Sequence, residues 1–576
     1  MTVVFVLLAG CGSEPPSEVR AVTPADETLD AAMATDGAGG NDAVDDASVS
    51  GVDANVSSDG SATVDARSGC QSGSPVEGPL VRSVGEGILT GSEPVAGVVQ
   101  FLGVPYAAPP VGPLRWQLPA PAPCYEEAGL QAITWPPLCP QLNEDKVAVG
   151  DEDCLHLNIW APENAEDAPV LFFLPGGGNV QGGVSVELSP GNYLYDGALW
   201  AQEQQAVVVT ANYRIGALGF LLAGTEQGLD EAIDGNFGLH DQIAALQWVQ
   251  ANIEAFGGDP ERVVLFGESA GAGNTCRLLT SPFASGLFDA AIMQSGGPCS
   301  TALESAVREE GATFVASVND LCAGSVDCLR ELDAMLIVER ADAAPSLGAD
   351  GTAFQPWVDG TLLTAQPAHL LQTGVRNVDR MIVGANSEET SRTIPLSLTE
   401  AQFNALLTAT AGRLAPQVRN LYPLSDFDSP WEAWVRLTSD YRFICSAEMA
   451  AGAMTDGGGQ AFLYHFAAST SGATERFGAW HGLELVYLFG NFGIPGYVPA
   501  DAEVQLGRDM RTLWTSFAGD AANESGQPVA EGLEWAPFDD ARSTLLLDTS
   551  PRRLVDGVRA EYCAFWTPIL RTLIAD

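Results

Sequence analysis

The sequence predicts an α/β architecture: a mostly parallel central sheet with helices on both faces and large insertions. Three observations predict it. Short apolar runs bounded by turn residues recur along the chain, as strands buried on both faces do. Segments of helical period separate them, the alternation expected when parallel strands are joined by crossovers. One apolar run ends in a serine flanked by glycines, with helix-compatible residues directly after it.

In chain order, Ile88–Phe101 carries two short apolar runs broken by Gly91-Ser92, the pattern of a hairpin. Proline-rich loops extend from Tyr106 to Pro140. Leu155–Trp160, Val170–Leu174 and Ala206–Tyr213 read as buried strands. Asp241–Ala255 has helical spacing through Ile243, Leu246, Val249, Gln250 and Ile253, and Phe256-Gly257-Gly258-Asp259-Pro260 stops it. Val263–Phe266, Ala291–Gln294 and Arg380–Val383 are further strands. No internal repeat is visible.

The chain has 576 residues, beyond the ~250–300 at which a single core usually stops growing, so one domain of this length requires long insertions. Its 26 basic and 74 acidic residues leave a formal charge of −48. Such a surface repels nucleic acid and anionic lipid headgroups and favours solubility. The N-terminus differs in character from the rest. Val3–Leu8 is apolar but too short to span a bilayer, which takes ~20 residues, and Leu8-Ala9-Gly10-Cys11 resembles a bacterial lipobox. Residues 1–10 are therefore expected to be a lipoprotein-type signal sequence, with Cys11 as the lipidated residue. Residues 11–78, rich in Asp, Ala, Ser and Gly, are expected to form a disordered tether, because they hold too little apolar surface to offset ordering entropy. Residues 79–576 are the expected folded domain. The chain should then be exported, to the outer membrane or cell surface if lipidated and otherwise to the periplasm or medium. Of eleven cysteines, ten remain when Cys11 is set aside, and in an exported chain an even number points to pairing. Cys322 and Cys328 are close enough to close a small loop.

The chemistry centres on Gly267-Glu268-Ser269-Ala270-Gly271, which follows Val263–Phe266 and precedes a helix-compatible stretch to Leu279. A strand, a sharp turn and a helix lift a serine hydroxyl above a sheet edge, and the helix N-terminus faces charge developing on an attacked carbonyl. A nucleophilic serine needs a base. The five histidines are His156, His240, His369, His465 and His481. In this arrangement the order is nucleophile, acid, histidine, which sets aside the first two. His369 lies in a helix-like run and His465 among the apolar residues of a strand-like run, whereas His481 lies on a loop before an apolar helix. The loop after Ile382-Val383 offers two carboxylates, Glu388 and Glu389, and residue chemistry does not choose between them. Pro175-Gly176-Gly177-Gly178-Asn179 follows a strand, so its backbone N–H groups, with that of Ala270, could hold an oxyanion. No Gly-Lys-Ser/Thr follows it, which disfavours phosphate binding.

These segments together resemble the type-B carboxylesterase family, from about Val81 to the C-terminus. The resemblance rests on Phe101-Leu102-Gly103-Val104-Pro105-Tyr106-Ala107, Glu152–Trp160, Asn212-Tyr213-Arg214, Gly235–Gln242 and the Ser269 turn. It implies an α/β-hydrolase fold and a serine esterase, with Ser269, Glu389 and His481 as catalytic triad and Gly177, Gly178 and Ala270 as oxyanion donors. Glu268 would be a buried carboxylate beside the nucleophile, and Ser295 would support the acid–base pair. Arg115 with Glu152, and Arg214 with Asp241, would be structural ion pairs. Cys139–Cys154, Cys322–Cys328 and Cys445–Cys563 match family disulfides; the pairing of Cys70, Cys124, Cys276 and Cys299 stays open, with Cys70–Cys124 and Cys276–Cys299 as one choice. The implied substrate is a small-molecule ester of short to medium chain or an aryl ester, with no metal or organic cofactor. The only membrane link would be the N-terminal lipid. A lipase for longer chains and a non-catalytic adhesion protein on the same fold are the alternatives; the intact triad positions oppose the second. Two departures stand out. Pro175 and Asn179 replace the family's usual His or Tyr before the glycines and Phe after them. The loop 140–153 is short and lacks tryptophan, so it offers no aromatic face for a quaternary ammonium, and choline esters are disfavoured.

Overall fold

The computed structural model describes Cys70 and residues 78–341, 353–519, 527–530, 533–550 and 553–573. Cys11, the expected signal segment and all of the expected tether but Cys70 and residue 78 lie outside the described residues. An eleven-stranded sheet runs through the body. Its strands are β1 (Ser92–Val95), β2 (Val98–Pro105), β3 (His156–Pro162), β4 (Ala168–Leu174), β5 (Val207–Ala211), β6 (Gly258–Glu268), β7 (Ala290–Gln294), β8 (Arg380–Asn386), β9 (Gln460–Phe466), β10 (Ser543–Leu547) and β11 (Arg553–Asp556). The spatial order is β11-β10-β9-β8-β7-β6-β4-β5-β3-β2-β1. From β5 across to β10 every neighbouring pair is parallel; β1, β2, β3 and β11 are antiparallel at the two edges.

The central strands are mostly apolar along their buried middles because both faces are covered. Along β4, Val170, Phe172 and Leu174 enter one core cluster, while Leu171 and Phe173 enter the other. Along β6, Val263 and Leu265 face one way, Val264 and Phe266 the other. The seven strand and helix segments anticipated from the sequence are all present, with shifted ends. The first hairpin is β1–β2, and Gly87–Thr90 instead pairs with Val81–Val84 in a separate small sheet. Helix α1 (Phe237–Asn252) begins four residues before the helical spacing suggested and ends in a 3₁₀ turn, Ile253–Phe256. Asn236, left-handed at φ 56°, starts it, a conformation asparagine tolerates better than most residues.

Ion pairs and disulfides fasten the long loops. Arg214 meets Asp241 on α1 through Nε–Oδ2 and Nη2–Oδ1 bonds of 2.7 Å each, with both residues buried. Arg115 pairs with Glu152 and also donates to the Leu329 and Leu332 carbonyls. Five disulfides join Cys70–Cys124, Cys139–Cys154, Cys276–Cys299, Cys322–Cys328 and Cys445–Cys563. Five bridges point to an oxidising, extracytoplasmic setting.

Removing one partner of a buried ion pair strands the other charge and costs about 3–5 kcal/mol. Asp241→Ala should therefore lower the unfolding free energy by about that amount, seen in urea titration as a lower midpoint with an unchanged slope.

Candidate active site

Polar residues gather beyond the C-terminal ends of the parallel strands, where open α/β sheets leave room for a ligand. The turn between β6 and α2 (Ala270–Thr280) places Ser269 there. Ser269 has φ 55° and ψ −122°, a strained conformation for a non-glycine residue. Its N–H donates to the Gln294 carbonyl (2.8 Å) and its carbonyl accepts the Gly273 N–H (3.0 Å). Gly271 is required by close approach: a Cβ there would run into the Leu174 carbonyl at the end of β4. This contact brings the start of α2 against the Pro175–Asn179 loop, and a Cβ on Gly176 would sit 2.9 Å from that of Ser269. Gly177, at φ 113°, likewise has no room for a side chain against the Gln181 carbonyl.

Glu389 follows β8 and His481 follows β9. His481 Nδ1 lies 2.6 Å from Glu389 Oε2, and the two residues are also joined by the His481 N–H to the Glu389 carbonyl (3.1 Å). Glu389 Oε1 accepts from Ser295 Oγ (2.6 Å) and the Asn386 N–H (2.7 Å). Three groups thus bond the Glu389 carboxylate. The neighbouring Glu388 turns the other way and accepts the Ala479 N–H (2.9 Å). On the far side of the imidazole, Nε2 lies 3.2 Å from Glu268 Oε1, in the residue preceding Ser269. The Phe443 ring sits 4.9 Å from the imidazole, presented by a π-helical turn, Asp440–Ile444. Such turns interrupt α-helices mostly at functional positions.

The other histidines lie apart from this pair. His156 is on β3 near Asp153, His240 on α1, and His369 on the short helix Pro367–Gln372. His465 is buried on β9 with Ser387 Oγ at 2.8 Å, and burial pushes it down to about 3, so it stays neutral. Among the described residues, no group of three or more His, Cys, Asp or Glu side chains converges as a metal site.

Two further buried carboxylates surround the pair. Burial, reinforced by the charges of Glu484 and Glu389 and partly offset by His481, pushes Glu268 up to about 8. Glu484, fully buried on α3 (Leu483–Phe489), is pushed up to about 7 by burial and then by Glu389, against bonding from Asn386. Asn386 Nδ2 bonds both Glu484 Oε2 and the Trp480 carbonyl, and Gln294 Nε2 donates to Glu484 Oε1 (3.3 Å). Sequence reading passed over Glu484, although a carboxylate inside an otherwise apolar helix, three residues after His481, was a usable signal. Phe443 had none, since nothing local marks the π turn.

Residues 83–566 match the model of the Carboxylesterase family. The chain belongs to that family. It is an enzyme acting on carboxylic esters. Para-nitrobenzyl esterase of Bacillus subtilis (strain 168) is 33% identical over 473 residues, covering 79% of this chain and 92% of the relative. Fumonisin B1 esterase of Sphingopyxis macrogoltabida is 35% identical over 476 residues, covering 78% and 83%. A solved thermophilic PNB esterase superposes with a TM-score of 0.73 at 29% identity, covering 84% of this chain and 99% of its own. The architecture of this carboxylesterase is thus the α/β-hydrolase fold.

The raised carboxylates make stability depend on pH. Where the folded chain holds a proton that the unfolded chain has lost, stability falls as pH rises. For Glu268 that window runs from the ordinary carboxyl range near 4.5 up to about 8. The difference in melting temperature between Glu268→Gln and the wild type should shift in the variant's favour from pH 5 to pH 8. Scanning calorimetry showing no pH dependence in that difference would count against the assignment.

Proposed function

We propose that this carboxylesterase hydrolyses short- to medium-chain or aryl esters through a Ser269–His481–Glu389 triad and an acyl-enzyme. The observation that carries the reading is the imidazole held between Glu389 on Nδ1 and the Glu268–Ser269 turn on the Nε2 side. His481 Nε2 takes the Ser269 proton as Oγ attacks the ester carbonyl. The carbonyl oxygen becomes an oxyanion facing the N–H groups of Gly177, Gly178 and Ala270, and the α2 N-terminus adds its positive potential. Collapse expels the alcohol with the proton from His481, leaving Ser269 acylated. Water then attacks, gives its proton to His481, and the acid departs as Ser269 regains it. Glu389 keeps the Nδ1 proton on the imidazole and stabilises the imidazolium; Ser295 and the Asn386 N–H hold Glu389 in place.

The preference for small acyl or aryl groups is supported by the para-nitrobenzyl esterase relative, and the short tryptophan-free loop 140–153, which offers no aromatic face to a quaternary ammonium, disfavours choline esters. Export with a lipid on Cys11 is supported by Leu8–Cys11 and by the five disulfides. Cys11→Ser should then move the enzyme from the membrane fraction to the soluble fraction; equal partitioning of variant and wild type would remove the anchor.

Hydrolysis of p-nitrophenyl acetate, butyrate and palmitate by the wild type and by Ser269→Ala tests the main reading. The substitution should lower kcat/KM by at least about 1,000-fold, the wild type should prefer acetate or butyrate, and kcat/KM should fall on acidification because the base must be neutral. A folded Ser269→Ala enzyme that retains activity would overturn it, and a preference for palmitate would favour a lipase.

A further inference from the structure

The loop Pro175–Asn179 ends in an asparagine whose side chain is completely buried and whose backbone is left-handed at φ 59°. Asparagine adopts that conformation at less cost than most residues, but burial of an amide is unfavourable unless all its polar atoms are bonded. Here they are. Asn179 Oδ1 accepts from Asn274 Nδ2 at 2.8 Å, and the Tyr213 hydroxyl lies 3.3 Å away. Asn179 Nδ2 reaches Asn274 Oδ1 (3.4 Å) and Gln355 Oε1 (3.3 Å). Asn274 belongs to α2, one turn beyond the strained serine, and its Oδ1 also accepts from Arg277 Nη1 (2.8 Å). The nucleophile helix and the glycine loop are therefore joined by a two-way amide contact.

Four of the loop carbonyls are occupied as well. Pro175 O accepts from the Tyr213 hydroxyl (2.8 Å), and Gly177 O from the N–H groups of Val180 (3.2 Å) and Gln181 (3.0 Å). Gly178 O accepts from Gln355 Nε2 (2.7 Å), and Asn179 O from the Gly216 N–H (2.6 Å). In a trans peptide the C=O and the following N–H point in opposite directions. The bonds to Gly177 O thus set the direction of the Gly178 N–H, and the Gln355 bond to Gly178 O sets that of the Asn179 N–H beside it.

We infer that Asn179, clamped between Asn274 and Gln355, is a positioning residue that presets the oxyanion loop relative to Ser269. The inference rests on the serine-esterase reading above. Asn179 acts through the backbone and need not touch substrate. A loop already fixed needs no reorganisation when charge develops, so the clamp contributes to the transition state and not to substrate binding.

The test compares the wild type with Asn179→Ala, Asn274→Ala and Gln355→Ala. It measures kcat and KM on p-nitrophenyl butyrate and Ki for an alkyl trifluoromethyl ketone of similar length, with melting temperatures alongside. In that inhibitor Ser269 Oγ bonds to the ketone carbon, the carbonyl π pair becomes the oxyanion, and the serine proton passes to His481. The expected result is a fall in kcat of about 10- to 100-fold, KM changed by less than about threefold, and Ki rising in proportion to the loss in kcat/KM. Unchanged kcat in folded variants overturns the clamp, as does a fall in kcat with no change in Ki, or a rise in KM alone. If Asn179→Ala does not fold, Asn274→Ala and Gln355→Ala decide the matter by the same criteria. A Ser269→Ala control separates the two levels: full activity there removes the esterase mechanism itself, whereas an inactive control beside unaltered clamp variants removes only the clamp.

Discussion

The site is organised around the close approach of two backbones, the first turn of α2 and the end of β4. Gly271 has no side chain because the Leu174 carbonyl occupies the space a Cβ would need. That contact brings the strained Ser269 turn beside the glycine loop, and one turn later it lets Asn274 reach Asn179. β6 is hydrogen-bonded on one side to β4 and on the other to β7, so the strand end of the turn is held from both sides. Backbone strain at Ser269 persists because the surrounding sheet over-determines it.

A second constraint is electrostatic. Three carboxylates, those of Glu268, Glu389 and Glu484, are buried around one imidazole. Like charges this close in a dry site cannot all be carried. Glu389 has the donors: a hydroxyl, a backbone N–H and the His481 ring. Glu268 and Glu484 have fewer, and burial pushes both upward toward the neutral form. The resulting asymmetry separates the carboxylate bonded by three groups from two carboxyls that burial pushes upward. The acidity of the surface, formally −48 for the whole chain, is a separate property that affects solubility and long-range attraction, not this local arrangement.

Much of the scaffold was legible because its signals are local. Continuous apolar runs mark strands covered on both faces, as with Val170–Leu174 and Val263–Phe266. The glycines around Ser269 mark a turn with no room for side chains. Shifted boundaries arose where tertiary context extended an element, as when β6 continued back to Gly258 through its pairing with β4. The π turn carrying Phe443 left no mark, because one extra residue per turn does not change an apolar pattern appreciably.

The sequence by itself determined the strand–turn–helix around Ser269, the glycine loop, the short list of histidines and the family to which these motifs belong, since each is written in neighbouring residues. The family resemblance had named Glu389 as the acid; only the tertiary structure decided that Glu388 turns away to bond the Ala479 N–H, that Glu484 joins Glu268 beside the ring, and that Asn179 is clamped by Asn274 and Gln355. Those relations depend on side-chain direction and on contacts between residues as much as 190 positions apart, as for Gln294 and Glu484. Such contacts arise only when packing brings strand ends together, and residue chemistry by itself does not encode which of two adjacent carboxylates will point inward.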